Sequence, residues 1–237
     1  MAALFTPASL KYLRDLARHN ERPWFEAHRR EYEAFVLGPM RDFVDEMDVR
    51  LASLAPEIVG DRKKSVFRIY RDVRFSEDKS PYKTNAGCWF FHRDGTHRVG
   101  QESHGGGAGF YFQLMPGNCF SGGGIWMPPR EALTRLRDAI AEKPAAFAKT
   151  VSAPAIEKRF GGLDADAMLK TAPRGYAPEH PGAKWLRYKS FTLGRAYTDA
   201  QVVSPRLPAL IEGDFALMLP LVRWLNAAMG LKPAKRR

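Results

Sequence analysis

Cysteine is scarce in this 237-residue chain, which has only Cys88 and Cys119. Two cysteines make no disulfide framework. Both fall in apolar, strand-like surroundings, where buried thiols are expected, and a reducing, cytoplasmic compartment fits best. Long hydrophobic runs are missing too. The longest strongly apolar stretch, Phe215–Val222, contains Pro220 and is far too short to cross a bilayer, so no membrane partner is expected. The N-terminus lacks a basic stretch followed by an apolar one, which argues against a secretory leader. No repeat is visible, and no linker rich in Pro, Gly or Ser divides the chain. The familiar catalytic signatures are absent as well: GxxxxGK[ST], GxGxxG after a strand, HExxH, paired CxxC and GxSxG.

What is present is positive charge, a formal net +11, of which Lys232, Lys235, Arg236 and Arg237 carry four. The sequence predicts one compact domain over residues 1–230 and a basic, disordered tail over 231–237. The remaining excess is uneven. Residues 1–60 hold 8 basic and 10 acidic side chains, whereas 61–83 hold 8 basic and 4 acidic. A local excess of this kind suits a phosphate, a carboxylate or a nucleic-acid backbone, and equally suits solubility with internal ion pairs.

Periodicity divides the chain into helices and strands. Thr6-Pro7 opens a helix with Leu10, Leu13, Leu16 and Ala17 at helical spacing, and Asn20 closes it. A second helix starts near Pro23. Gly38-Pro39 breaks the pattern and starts a third, with a stripe of Met40, Phe43, Val44, Met47, Leu51 and Leu54. From Lys64 the period changes to two. Strands are predicted at Val66–Arg74, Asn85–His92, Phe110–Met115, Cys119–Met127 and Phe191–Tyr197, with turns at Asp94-Gly95 and Pro116-Gly117-Asn118. Helices follow from Pro128-Pro129 to about Glu142, at Pro144–Val151, Ala153–Phe160 and from Ser204-Pro205 to Met229, the last threatened by Pro208 and Pro220. Short connections between successive strands favour antiparallel pairing. The expected class is α+β, with helices packed around a central, mainly antiparallel sheet.

Val66–Lys83 is the segment most suggestive of a site. As a strand it places Val66, Arg68, Tyr70, Asp72 and Arg74 on one face, and Phe67, Ile69, Arg71, Val73 and Phe75 on the other. An arginine on the apolar face needs a partner or a cavity, because an unpaired buried charge is costly, and its planar fork suits a bidentate oxyanion. Beyond it, Pro81 stiffens a loop carrying Asp78, Lys79, Tyr82 and Lys83. Two readings stand. In one, Arg68, Arg71, Arg74, Lys79 and Lys83 form an anion-binding wall with Asp78 and Tyr82, and Asp72 orients an arginine or acts as a base. In the other, the same residues are a salt-bridge lattice.

Five blocks carry a resemblance to a known family: NERPWFEAHRREYE (Asn20–Glu33), RIYRDVRFSEDKSPYKT (Arg68–Thr84), GGGIWMPPREALTRLR (Gly122–Arg137), APRGYAPEHP (Ala172–Pro181) and LRYKSF (Leu186–Phe191). Together, over about residues 4–226, the chain resembles domain of unknown function 2461. The resemblance implies that the blocks belong to one domain. It supplies no activity, cofactor or partner. His92–Gly107 is longer and more polar than the family's usual hairpin, so no shared site is placed there.

Other candidates follow from residue chemistry. Gly123 and Gly124, within Gly122-Gly123-Gly124, mark either a backbone cradle for a ligand or a sheet bend. Arg174 and Tyr176 lie in an irregular, polar segment with His180, a candidate acid or base; a plain surface turn is the alternative. Trp24 reads as a packing anchor. His92, His97 and His104 lack any metal-ligand spacing, and no metal is predicted. Three functions are therefore weighed. The first is binding of, or action on, a small anionic, phosphorylated compound, with Asp72 and His180 as the groups for proton transfer. The second is a nucleic-acid-associated module using Tyr70, Tyr82 and Trp126 for stacking, although no helix-turn-helix or RRM motif is present. The third is an interaction scaffold with an architectural ion-pair lattice. Whether the chain is an enzyme, and which cofactor it takes, stay open at this level.

Overall fold

The computed structural model describes residues 2–74, 77–95 and 107–234. Helix α1 (Pro7–Arg18) begins after an extended Thr6, whose N–H donates to Ser9 Oγ at 3.0 Å. Helices α2 (Arg22–Ala27) and α3 (Arg29–Tyr32) run into a π-helical turn, Glu33–Leu37, that passes without a gap into α4 (Gly38–Leu54). The break expected at Gly38-Pro39 is therefore absent. Pro39 has no N–H to donate and its ring crowds the carbonyl one turn back, and the wider π turn supplies the room. The α4 stripe of Met40, Phe43, Val44, Met47 and Leu51 is buried as its spacing requires.

The sheet has five strands in sequential order, every neighbouring pair antiparallel: β1 (Ile58–Val59), β2 (Ala86–His92), β3 (Gly109–Leu114), β4 (Cys119–Ile125) and β5 (Phe191–Tyr197). The class is α+β, as the period change predicts. The β2–β3 connection runs through residues 93–108. Asp94-Gly95 only begins it, with the Gly95 N–H donating to the His92 carbonyl at 2.9 Å, and residues 96–106, including His97 and His104, lie outside the described residues. Cys88 and Cys119 are both buried free thiols. Burial raises both above the usual thiol range.

Val66–Arg74 does not form the predicted strand. Val66 makes an isolated bridge to Cys88 on β2, and Tyr70 makes another to Tyr82. The segment thus changes partners halfway. Phe67 N–H donates to the Gly87 carbonyl, whereas Arg71 N–H and Lys83 N–H close a separate small loop on Pro81 and Ile69. The alternation survives the loss of the ladder: Arg68, Tyr70, Asp72 and Arg74 are exposed, and Ile69 is buried.

After β4 come α5 (Arg130–Glu142), α6 (Pro144–Val151), α7 (Pro154–Phe160) and the short α8 (Ala183–Leu186). Past β5 lie α9 (Asp199–Val202) and α10 (Leu207–Ala228). Helices α4 and α10 cover one face of the sheet. Phe215 stacks on Phe110 at 4.3 Å, and Phe43 meets Phe112 at 4.7 Å. Each fully buried phenylalanine contributes about 1.5–3 kcal/mol. Pro220 sits inside α10 on its solvent side, with Ala216 one turn back also exposed, so water can satisfy the carbonyl it leaves free. None of the helices among the described residues is long and apolar enough to cross a membrane.

One polar contact ties these layers together. Asp214 of α10 is fully buried. Its carboxylate accepts from Arg159 Nε of α7 at 2.6 Å, from Arg195 Nη1 of β5 at 2.8 Å and from the Tyr197 hydroxyl of β5 at 2.5 Å. The Tyr197 hydroxyl also lies 2.8 Å from Ser121 Oγ on β4. Burial, then Asp214, pushes the Tyr197 phenol well above its ordinary range, so it stays a donor. At the other end of α10, the Arg223 guanidinium pairs with the buried Glu57 carboxylate at 2.7 Å. Of the basic tail, residues 231–234 are described. Ala234 N–H donates to Glu57 Oε2 at 3.3 Å, and His92 Nε2 lies 3.0 Å from the Lys232 carbonyl; residues 235–237 lie outside the described residues.

Asp214→Ala strands the partly buried Arg195, the exposed Arg159 and a buried phenol, and is expected to destabilise the fold by about 3 kcal/mol in urea unfolding. A loss below about 1 kcal/mol contradicts the role given to this carboxylate.

Candidate functional site

The residues singled out by the sequence separate into two groups in space. The first gathers the blocks Asn20–Glu33 and Arg68–Thr84. Asn20 clamps the backbone of Tyr82 from both sides, its Nδ2 donating to the Tyr82 carbonyl at 2.9 Å and its Oδ1 accepting from the Tyr82 N–H at 3.0 Å. Tyr82 is 1% exposed and stacks on Phe25 at 4.1 Å. It is a core anchor, not the ligand contact expected of it, because the Asn20 clamp turns its ring inward onto α2.

The cations of this group are mostly matched by the protein. Arg74 forms a two-pronged pair with Asp72, Nε at 3.0 Å and Nη2 at 2.7 Å. Arg71 pairs with Asp78 at 2.5 Å. Lys79 donates to the Val73 carbonyl at 2.9 Å, and Lys83 lies over the Phe67 ring at 5.4 Å. Arg68 is exposed to solvent and has no carboxylate within 4.0 Å among the described residues. The Arg74 guanidinium and N–H hold the Asp72 carboxyl down to about 2, so it is ionised and engaged at neutral pH.

The glycines have packing duties. A methyl at Gly123 would sit 2.9 Å from Met218, so glycine there lets α10 lie close on β4. Gly124 has φ +133°, and a methyl there would strike the Phe191 carbonyl oxygen across the β4–β5 ladder. Neither forms a cradle of free N–H groups.

The second group gathers Gly122–Arg137, Ala172–Pro181 and Leu186–Phe191. Met127 N–H donates to Ser190 Oγ at 2.9 Å, and Arg137 Nη2 donates to the Tyr188 carbonyl at 3.1 Å. The Tyr176 hydroxyl donates to Asp138 Oδ1 of α5 at 2.7 Å. Burial, then Asp138, pushes the Tyr176 phenol up to about 12, so it keeps its proton and its ring stays fixed. Ahead of β5, residues 167–169 pair with 187–189: Met168 bridges Tyr188, Leu169 N–H donates to the Arg187 carbonyl, and Lys189 N–H donates to the Ala167 carbonyl. This short ladder sets Lys170 beside Arg187. Lys184 lies three residues before Arg187 along α8, hence on the same side.

The result is an open cleft of about 520 Å³ lined by Lys170, Thr171, Ala172, Tyr176, Pro178, Ala183, Lys184 and Arg187. None of its three cations has a carboxylate within 4.0 Å among the described residues. Arg187 spends Nε on the Leu169 carbonyl at 2.8 Å and keeps its two Nη groups for other acceptors. Arg174 is exposed in the turn just before Tyr176. His180 Nδ1 accepts from the Gly182 N–H at 2.9 Å, which fixes the ring against the start of α8. His180 and Asp72 therefore fall in different groups, and no hydrogen bond or ion pair among the described residues joins them.

Sequence reasoning missed Lys170, Lys184 and Arg187. The signal was available in the charge count. Residues 168–189 contain five basic side chains and one acidic, the same excess of four as residues 61–83, which contain four acids. Charges with few local acids end up without a carboxylate partner; Lys184 instead lies over the Trp185 ring at 5.9 Å, as Lys83 lies over Phe67. Among the described residues no group of three or more His, Cys, Asp or Glu is placed to hold a metal ion.

The carboxyl of Asp72 is expected to titrate near 2 by NMR, against about 3.9 for a free aspartate. Because the folded value is depressed, the Arg74 pairing is present above about 3.9 and fades as pH falls toward 2. Arg74→Ala should return the titration toward 3.9 with little change in Tm, since the pair is exposed. An unchanged titration contradicts the pairing.

The model of a family described as conserved hypothetical protein (DUF2461) matches residues 8–224 of the chain. No curated protein and no solved structure matches it.

Proposed function

We propose that this chain, which belongs to the conserved hypothetical protein family DUF2461, binds a small phosphorylated anion in the cleft between residues 170–178 and α8. One observation carries the reading: three cations, Lys170, Lys184 and Arg187, line one cavity with no carboxylate to match them among the described residues. Like charges gathered in a cleft raise the local potential and favour an anionic guest. Arginine offers a fork for two oxyanion oxygens, and the lysines act as mobile point charges. Volume agrees, since cavities of about 300–1,000 Å³ accommodate small-molecule ligands.

The alternative wall, Arg68–Lys83, receives less support. Its arginines at 71 and 74 are already held by Asp78 and Asp72. An anion there would have to displace a carboxylate that is tethered close by. Binding is the activity proposed. The cleft itself contains no acid-base pair of its own, because Tyr176 is committed to Asp138 and His180 is not among the lining residues.

Calorimetry at low ionic strength with pyrophosphate, inorganic phosphate and ribose 5-phosphate tests this. The double variant Lys170→Gln/Lys184→Gln alters two exposed side chains and should bind the best of these anions at least tenfold more weakly, since a charge-assisted hydrogen bond is worth about 1.5–3 kcal/mol. Arg68→Gln/Arg74→Gln should bind within about twofold of the unaltered protein. Absence of binding to all three anions overturns the proposal, as does an affinity that follows Arg68 and Arg74.

A further inference from the structure

The cleft is larger than a phosphate group needs, and its lining is of two kinds. Three cations and Thr171 are polar, and Ala172, Pro178, Ala183 and Tyr176 supply apolar surface. Tyr176 is the only aromatic ring lining the described cleft. Its hydroxyl is fastened to Asp138 at 2.7 Å, so the side chain offers a ring held in place more than a hydrogen-bonding tip. A fixed aromatic ring with small apolar neighbours suits a flat, apolar body stacked against it.

The cations set the valence. A phosphoryl group carries about −1.5 to −2 at neutral pH. Three cations without carboxylate partners therefore match two linked phosphoryl groups better than one. Arg187 has committed Nε to the Leu169 carbonyl and can receive two oxygens of one phosphoryl group on its Nη edge. Lys170 and Lys184 come from opposite walls, the first from the segment after Leu169 and the second from α8.

Resting on the anion-binding reading of this same cleft, we infer that its ligand is a nucleoside diphosphate or a close analogue, with the diphosphate among Lys170, Lys184 and Arg187 and the base against Tyr176. Neither half of the cleft explains the other. Bare pyrophosphate would leave the Tyr176 ring unused, and an uncharged nucleoside would leave three cations without an anionic partner.

The experiment is calorimetry on the full chain with magnesium chelated, using ADP, GDP, UDP, CDP, pyrophosphate, ribose 5-phosphate and adenosine as probes. At least one nucleoside diphosphate is expected to bind tenfold or more tightly than pyrophosphate, the scale of one base–aromatic stack, and adenosine to bind far more weakly than ADP. Tyr176→Ala should bring that nucleotide to within about threefold of pyrophosphate and leave pyrophosphate binding unchanged. Tyr176→Phe keeps the ring and should keep most of the preference, which separates stacking from the loss of the Asp138 contact. If every nucleotide binds within threefold of pyrophosphate, this inference fails and the anion reading stands. If adenosine binds as tightly as ADP, or if no phosphorylated probe binds, both fail.

Discussion

The Asp214 carboxylate, with no exposed surface, gathers a guanidinium from α7, a guanidinium from β5 and the phenol of Tyr197. A buried carboxylate left unmet would be strongly unfavourable, so these three donors must converge wherever α10 lies. Convergence fixes α7 and the end of β5 against α10. The chain leading into β5 is then held at a known place, and residues 187–189 can pair with 167–169. The cleft is built on that pairing.

Charge compensation separates the two basic regions more sharply than their net charge does. Residues 61–83 and 168–189 carry the same excess of four, but the first contains four acids and the second one. In the first, Asp72 and Asp78 lie two and seven residues from their arginines, close enough for the chain to meet its own charge locally. In the second, Glu179 is the single acid, and it makes no ion pair among the described residues. Positive potential remains there because the sequence supplies nothing nearby to cancel it. The resemblance blocks follow the same division, one set packing through Asn20, Phe25 and Tyr82 and the other around α5, Ser190 and Tyr188.

Much of the fold is legible in the residues. The predicted strands match β2 to β5 to within a residue or two at most ends, and Pro144 and Pro154 fall in the first turns of their helices. Pro208, expected to threaten the last helix, lies in its first turn, where its missing N–H costs nothing. What is not legible has physical causes. β1 is two residues long, too short for any period. Val66–Arg74 alternates like a strand but is bonded to two different partners, which an alternation pattern cannot distinguish. The π turn before Pro39 spends five residues avoiding a clash that otherwise ends a helix. The cleft is hidden for a different reason. Lys170 and Arg187 are seventeen positions apart, and a short pairing within an irregular stretch brings them together. Tyr82 misleads in the opposite direction: its polar neighbours Lys79 and Lys83 suggest a surface role, while Asn20, sixty-two residues away, draws it into the core.

Three cations without a carboxylate partner among the described residues line the cleft, whereas on Arg68–Lys83 the arginines at 71 and 74 are paired. A pyrophosphate titration followed by backbone amide chemical shifts tests this directly. It predicts that the largest saturable changes fall on Lys170, Thr171, Tyr176 and Ala183–Arg187, with Arg68–Lys83 nearly still. Saturable changes centred on Arg68, Arg71 and Arg74, with residues 170–187 unmoved, would contradict it.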